Sequence, residues 1–299
     1  MKIIATIAEM QKASADERAL GKRIALVPTM GYLHDGHVSL IKKAKDHADI
    51  VIASIFVNPT QFGPNEDFER YPRDFTRDHS LLEGAGCDYI FYPGIKEMYA
   101  GANRTEIKID YLTRNFEGTL RPGHFNGVAL VVSKLFNATL PHLAIFGQKD
   151  YQQTLVIKQM VRDLNFGIEL IISATYREAD GLAMSSRNVY LSPSERLKAN
   201  IIFNALEKAK KAILSGERQR KIINATMHSV LRSVPEIRID YASSALADSL
   251  DEPDIFLAGD ELVLLLAVYL GRTRLIDNTL VRAPLSSASA EDKFVEEYI

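Results

Sequence analysis

The 299-residue chain is 46% hydrophobic and 25% charged, the balance of a globular protein rather than of a disordered one. Its 36 basic and 38 acidic side chains leave a formal charge of −2, which gives no global field for nucleic acid; its single cysteine, Cys87, excludes an intrachain disulfide and any zinc site built from several thiolates. No apolar run approaches the ~18 residues that cross a bilayer, and Glu9 and Lys12 interrupt the apolar start too early for a signal peptide, so a cytoplasmic protein with no membrane partner is expected.

Thr6 and Glu9 have capping-box spacing and Gly21 is a stop, which predicts a helix over 6–20. Strand-like runs follow at 24–27, 50–57, 89–92, 143–146 and 168–172. They are mostly continuous and rich in β-branched or aromatic residues, as buried parallel strands are. Helical patterns near 37–47, 74–84, 124–139 and 149–164 lie between them, so residues 1–175 read as a doubly wound, Rossmann-like α/β domain. Ligands of such sheets sit beyond the carboxyl ends of the strands. After residue 175 the pattern changes. A long helix from Ser192 to about 214, a second over 218–232 and strands at 237–242, 262–270 and 273–280 predict a smaller α+β domain over 176–282. Residues 283–299 read as a flexible tail.

Four segments at strand ends carry chemistry. After the strand at 24–27 comes Pro28-Thr29-Met30-Gly31-Tyr32-Leu33-His34-Asp35-Gly36-His37, a turn into a helix start. Free backbone N–H groups and the positive end of the helix dipole favour phosphate there, and His34 and His37 are spaced to share one side of the helix start. Asn58-Pro59-Thr60-Gln61 follows the strand at 50–57, where the two amides can orient a small polar substrate. Gly147-Gln148-Lys149-Asp150 joins a strand to a helix and puts an ammonium where a nucleotide phosphate would sit, with Asp150 and Gln153 on one helix face. Arg177 through Asn188 lies at the domain junction and includes Ser185-Ser186-Arg187, a compact anion clamp on a loop that can close. Arg121-Pro122-Gly123-His124 adds a cation and an imidazole before a helix. Each segment alone also reads as an ordinary polar turn; their recurrence at successive strand ends favours a phosphate ligand.

These segments, with Tyr71-Pro72-Arg73-Asp74 and Phe125, resemble the pantoate–β-alanine ligase family over residues 1–282. The resemblance implies membership of the nucleotidyltransferase superfamily, with His34-Asp35-Gly36-His37 as its His-x-Gly-His turn and Met184-Ser185-Ser186-Arg187 as its mobile phosphate-binding stretch. It implies that ATP and (R)-pantoate, with Mg2+, give pantoyl adenylate and pyrophosphate, and that β-alanine then gives pantothenate and AMP. Met30, Gly31, Tyr32, Leu33, His34, Asp35, Gly36 and His37 would line the ATP site. Gly147, Gln148, Lys149, Asp150, Tyr176, Met184, Ser185, Ser186 and Arg187 would complete it. His37 occupies the position of a proton donor, with His34 and Lys149 as its catalytic neighbours. Gln61 and Gln153 would hold pantoate, and Gln61 would also meet β-alanine. Asn58 and Arg121 are further candidates. The Mg2+ ligands stay open: Gln148 stands where a glutamate would supply charge, and Asp150 is the carboxylate left in that block. A homodimer through the larger domain is also implied.

Other readings stay open on the residues alone. A nucleotidyltransferase that releases its nucleotidyl product would share the His34-to-His37 turn, but the Gln61 and Gln153 blocks favour the ligase. A nucleic-acid-binding module is disfavoured by the charge of −2 and by the lack of a basic, aromatic-rich stripe. A non-catalytic sensor of pantoate or ATP remains.

Overall fold

A computed structural model describes residues 1–64, 66–101 and 104–285. By internal packing the chain forms two units, Met1–Arg177 with Met184–Ser186, and Glu178–Ala183 with the chain from Arg187 onward. The junction expected at 175/176 is therefore threaded. The chain leaves the first unit after Arg177, returns for three residues and leaves again. Backbone and side-chain bonds hold the return: Met184 N–H donates to the Tyr176 carbonyl at 3.0 Å, and Ser186 Oγ donates to the Tyr32 carbonyl at 3.0 Å.

In the first unit the elements run β1 (Lys2–Ile4), α1 (Ile7–Ala19), β2 (Ile24–Thr29), α2 (Asp35–Lys45), β3 (Ile50–Ile55), α3 (Phe75–Gly84) and β4 (Tyr89–Phe91). Then come two short helices, α4 (Ile95–Met98) and α5 (Glu117–Leu120), followed by α6 (His124–Thr139), β5 (Leu143–Gly147), α7 (Tyr151–Asp163) and β6 (Glu169–Ser173). The six strands form one parallel sheet in the order β1-β4-β3-β2-β5-β6. β2 is its pivot, because the chain builds outward from it through β3 and β4 on one side and through β5 and β6 on the other. Such a reversal opens a crevice at the carboxyl ends of the central strands. Ala25, Val27, Val51 and Ala53 pack with Leu40, Ile41 and Ala44 of α2 and Leu82 of α3. The alternate residues Ile24, Leu26, Ile50 and Ile52, also buried, serve the opposite face.

The second unit contains α8 (Pro193–Lys198), α9 (Ile201–Leu214), α10 (Arg220–Leu231), β7 (Ile237–Leu246), β8 (Glu261–Leu270) and β9 (Thr273–Arg282), with the strands in one antiparallel sheet. Alternate residues of β8, from Leu262 to Leu270, pack with Ile202, Leu206, Ala209 and Ile213 of α9 and Ile223 and Met227 of α10. The expected doubly wound sheet with a smaller α+β unit is thus the fold.

Three details differ from the sequence reading. β1 was not expected, since a three-residue strand shows no periodicity; it pairs with the sheet edge through β4. The helix expected from 192 to 214 is two, because Ala199 and Ile202 bond the carbonyls three residues back and tighten the turn between α8 and α9. The strand predicted over 50–57 stops at Ile55, before Pro59 and the turn it makes. The tail beyond Leu285 lies outside the described residues. Among the described residues no helix is long and apolar enough to cross a membrane.

Candidate active site

The residues singled out after β2, β3 and β5 share the carboxyl end of the sheet, at its pivot. After β2 the chain takes an abrupt turn, with Gly31 at φ +81° and Tyr32 at +50°. Asp78, on α3 and only 1% exposed, holds this turn: its two oxygens accept the N–H groups of Tyr32 and Leu33, each at 2.7 Å. A Cβ at Gly31 would stand 3.0 Å from the same carboxylate, so both φ and space call for glycine there. Burial pushes the Asp78 carboxyl up against the pull of those two N–H groups and of Arg77. Arg77 in turn lies 5.0 Å over the Tyr32 ring. Asp78 is not among the residues that the sequence patterns single out. Its signal was an acidic residue four before Leu82 on the buried stripe of an amphipathic helix.

The turn delivers His34 to the N-cap of α2 and His37 into its first turn. Their rings lie 4.1 Å apart, as their spacing predicted. His34 N–H donates to His37 Nδ1 at 3.3 Å, so a neutral His37 carries its proton on Nε2. Burial, then the positive charges of His34 and Lys149, push the His37 imidazole well below its ordinary value. The influence of Lys149 ties the end of β5 to this turn. Lys149 itself lies 3.6 Å from the Asp150 carboxylate. Tyr176, Met184, Ser185 and Ser186 belong to this first unit, and Ser186 bonds the turn at Tyr32. Arg187 belongs to the second unit.

After β3, Asn58 and Gln61 are both buried. Asn58 Oδ1 accepts from Thr60 N–H at 3.3 Å and from the Tyr99 hydroxyl at 2.8 Å. Its amide nitrogen donates to Gln61 Oε1 at 3.0 Å and to the Gly127 carbonyl at 3.1 Å. Asn58 therefore braces the loop. Gln61 Nε2 reaches Met30 Sδ at 3.3 Å, which joins the segment after β3 to the turn after β2. The start of α6 is pressed against the loop: a Cβ on Gly127 would run into the Thr60 carbonyl. Arg121 is engaged too, with both Glu66 carboxylate oxygens at 2.6 and 2.7 Å. Neither Glu66 nor Tyr99 was singled out in the sequence, because their roles arise from contacts across long loops.

The adjacent glutamines of α7 divide their work. Gln152, 3% exposed, accepts from Glu117 N–H at 3.0 Å and donates to the carbonyls of Leu112 and Asn115 at 2.7 and 2.9 Å. It is spent on the loop before α6. Gln153 is half-buried and makes no such bond among the described residues.

A family model for pantoate-beta-alanine ligase matches residues 2–280. The chain belongs to the pantoate–β-alanine ligase family. Among curated members, a pantothenate synthetase of Moorella thermoacetica is 52% identical over 94% of this chain and 99% of its own length. One of Thermoanaerobacter sp. (strain X514) is 50% identical over 92% and 96%. The crystal structure of a Thermus thermophilus pantothenate synthetase superposes with a TM-score of 0.87 at 44% identity, covering 93% of this chain and 99% of that one. A Francisella tularensis pantoate-beta-alanine ligase, solved in complex with beta-gamma ATP and beta-alanine, gives a TM-score of 0.77 at 35% identity over 94% and 97%. The chain is accordingly an enzyme of the ligase class, performing the ATP-dependent condensation of pantoate with β-alanine. The family match covers all four strand-end segments and stops short of the tail.

Proposed function

We propose that the enzyme activates (R)-pantoate as pantoyl adenylate and then transfers the pantoyl group to β-alanine. The observation that carries this reading is the 3.3 Å approach of Gln61 Nε2 to Met30 Sδ. It supports a pantoate held by Gln61 and Gln153 lying beside a nucleotide held by residues 30–37. The complex of the Francisella tularensis relative with beta-gamma ATP and beta-alanine supports ATP and β-alanine as ligands of this chain.

In the first step a pantoate carboxylate oxygen attacks the α-phosphorus. The bond from that phosphorus to the bridging oxygen breaks, and pyrophosphate leaves. In the second step the β-alanine amine attacks the acyl carbon. The acyl carbon–oxygen bond breaks, AMP leaves with the oxygen that pantoate brought, and the amine loses its proton. A carboxylate is a poor acyl donor, and AMP makes it a good one, so no covalent enzyme nucleophile is required. The protein's work is placement and charge neutralisation. The amino end of α2 offers N–H groups to phosphate. His34 and the Nε2–H of His37 donate hydrogen bonds, and the negative triphosphate raises the proton affinity of His37 toward that of a proton donor. Lys149 supplies a point cation. Gly147, Gln148, Tyr176, Met184, Ser185 and Ser186 complete the nucleotide site. Magnesium fits as a partner of the triphosphate, with Asp150, a partly exposed hard oxygen donor beside Lys149, as the side chain that would hold it. When bound it neutralises charge on the departing pyrophosphate. The same reading places the enzyme in the cytoplasm as a homodimer, a state that sedimentation velocity reads directly.

Adenylation needs no amine. The enzyme should therefore exchange labelled pyrophosphate into ATP with pantoate and Mg2+ present and β-alanine absent. Turnover with all substrates but no exchange without β-alanine would contradict the two-step route.

A further inference from the structure

We propose that His124 is a positioning residue of the reaction: a neutral imidazole, protonated on Nδ1, that links the Glu66–Arg121 ion pair to the Gln61 carbonyl and so holds the Gln61 segment in place. The proposal rests on the reading that Gln61 binds pantoate.

Two contacts assign the same tautomer. His124 Nδ1 lies 2.8 Å from the Gln61 carbonyl oxygen, which can only accept, so Nδ1 carries a proton. His124 Nε2 lies 3.1 Å from Arg121 Nη1, which can only donate, so Nε2 carries none. A second proton on the ring would turn the Arg121 contact into donor against donor. The charged groups facing the ring are Arg121, Glu66 and Glu117; burial and the Arg121 charge outweigh the two carboxylates and push the imidazole down to about 4. Arg121 cannot turn away. Glu66 grips it with both oxygens, and Glu117, 5% exposed, stands 3.7 Å from Nη1. The Glu66 carboxyl lies below its ordinary value, because the Arg121 bond and charge outweigh the burial that raises it.

The consequence is a fixed polarity at Gln61. Its carbonyl is held by His124 at 2.8 Å and, at the longer distance of 3.4 Å, by Arg121 Nη2, and its side-chain oxygen is held by Asn58 Nδ2 at 3.0 Å. The Asn58 amide cannot flip, because Thr60 N–H and the Tyr99 hydroxyl both donate to its oxygen. Gln61 therefore keeps its NH2 toward Met30, as a donor for the carboxylate or hydroxyls of pantoate.

Nitrogen-15 NMR of the intact enzyme labelled at histidine should show His124 with its proton on Nδ1 and no titration near the ordinary imidazole value. A proton on Nε2, or titration there, would overturn the assignment. In kinetics, His124→Leu should raise KM for pantoate roughly 10–100-fold, with KM for ATP near that of the unaltered enzyme. His124→Asn, which restores a donor to the Gln61 carbonyl, should recover part of the loss. Equal changes in both KM values, or no recovery with asparagine, would reduce His124 to a fold residue and overturn the role. If His124→Leu fails to fold, Glu66→Gln should show the same pantoate-selective direction, and its absence would count as refutation. Gln61→Ala separates the role of Gln61 from that of His124. If it leaves KM for pantoate unchanged, the reading of Gln61 fails and the role of His124 with it. If it impairs pantoate while His124→Leu does not, the role of His124 alone fails.

Discussion

His37 sits in the first turn of α2, and Lys149, just after β5, adds its positive charge to that of His34 in disfavouring a charged imidazole there. His37 is accordingly neutral in the free enzyme, and its proton on Nε2 is available as a hydrogen bond to phosphate. His37→Ala should leave thermal unfolding unchanged and cut adenylation by roughly 10²–10⁴-fold, the range of a positioned acid–base group. Near-normal pyrophosphate exchange in a folded variant would contradict that role. The buried imidazoles also set an acid limit on stability. His37 is held well below its ordinary value by burial and neighbouring positive charge, and His124 is pushed down to about 4. In the unfolded chain both take protons as pH falls through about 6.5. The unfolded state then binds more protons, so stability is full above about pH 6.5 and falls as pH drops toward 4. For His124 alone the loss is on the order of 3 kcal/mol. Glu66, held below its ordinary value, adds to the loss at the acid end, while Asp78, held above it, opposes. Urea unfolding at about pH 7.5 and about pH 5 should show the lower stability at acid pH; equal values would contradict the neutral assignment. Of these residues, the sequence offered His34 and His37 by their spacing and Lys149 by its place at a strand-to-helix turn. It could not show which groups lower the His37 imidazole, because Lys149 reaches it only through the sheet.

At the level of elements, α3 serves the site through one side chain. Asp78 takes two consecutive N–H groups of the turn that precedes α2, so the orientation of His34 and His37 depends on a helix that carries none of the phosphate-suited residues. Asp78→Asn keeps the shape, but its amide nitrogen would face an N–H it cannot accept. It should cost about 1–3 kcal/mol in thermal unfolding and raise KM for ATP more than KM for pantoate. Unchanged stability with unchanged KM for ATP would refute the anchoring. The periodic elements were legible: the helix at 124–139 and the central strands fall where apolar patterning put them. β1, α4 and α5 were not, because three or four residues carry no period. Nor was the division between α8 and α9, since the apolar positions continue across the tight turn at Ala199 and Asn200.

For the whole molecule, alternation of strands and helices was enough to give a parallel sheet, and the rule that ligands sit at strand carboxyl ends was enough to gather the loops after β2, β3 and β5. Strand order was not legible, and it is the order that makes β2 the pivot and brings Met30 and Gln61 together. The threaded junction was also hidden, for it depends on Ser186 and Met184 bonding back to residues earlier in the chain. In the adenylate route one site joins a pantoate carboxylate to AMP before any amine is used. Pantoate labelled with heavy oxygen in its carboxylate follows that bond, through mass spectrometry of the nucleotide released on turnover with β-alanine. The adenylate route predicts AMP carrying one labelled oxygen, whereas unlabelled AMP, or ADP with label in phosphate, would contradict it.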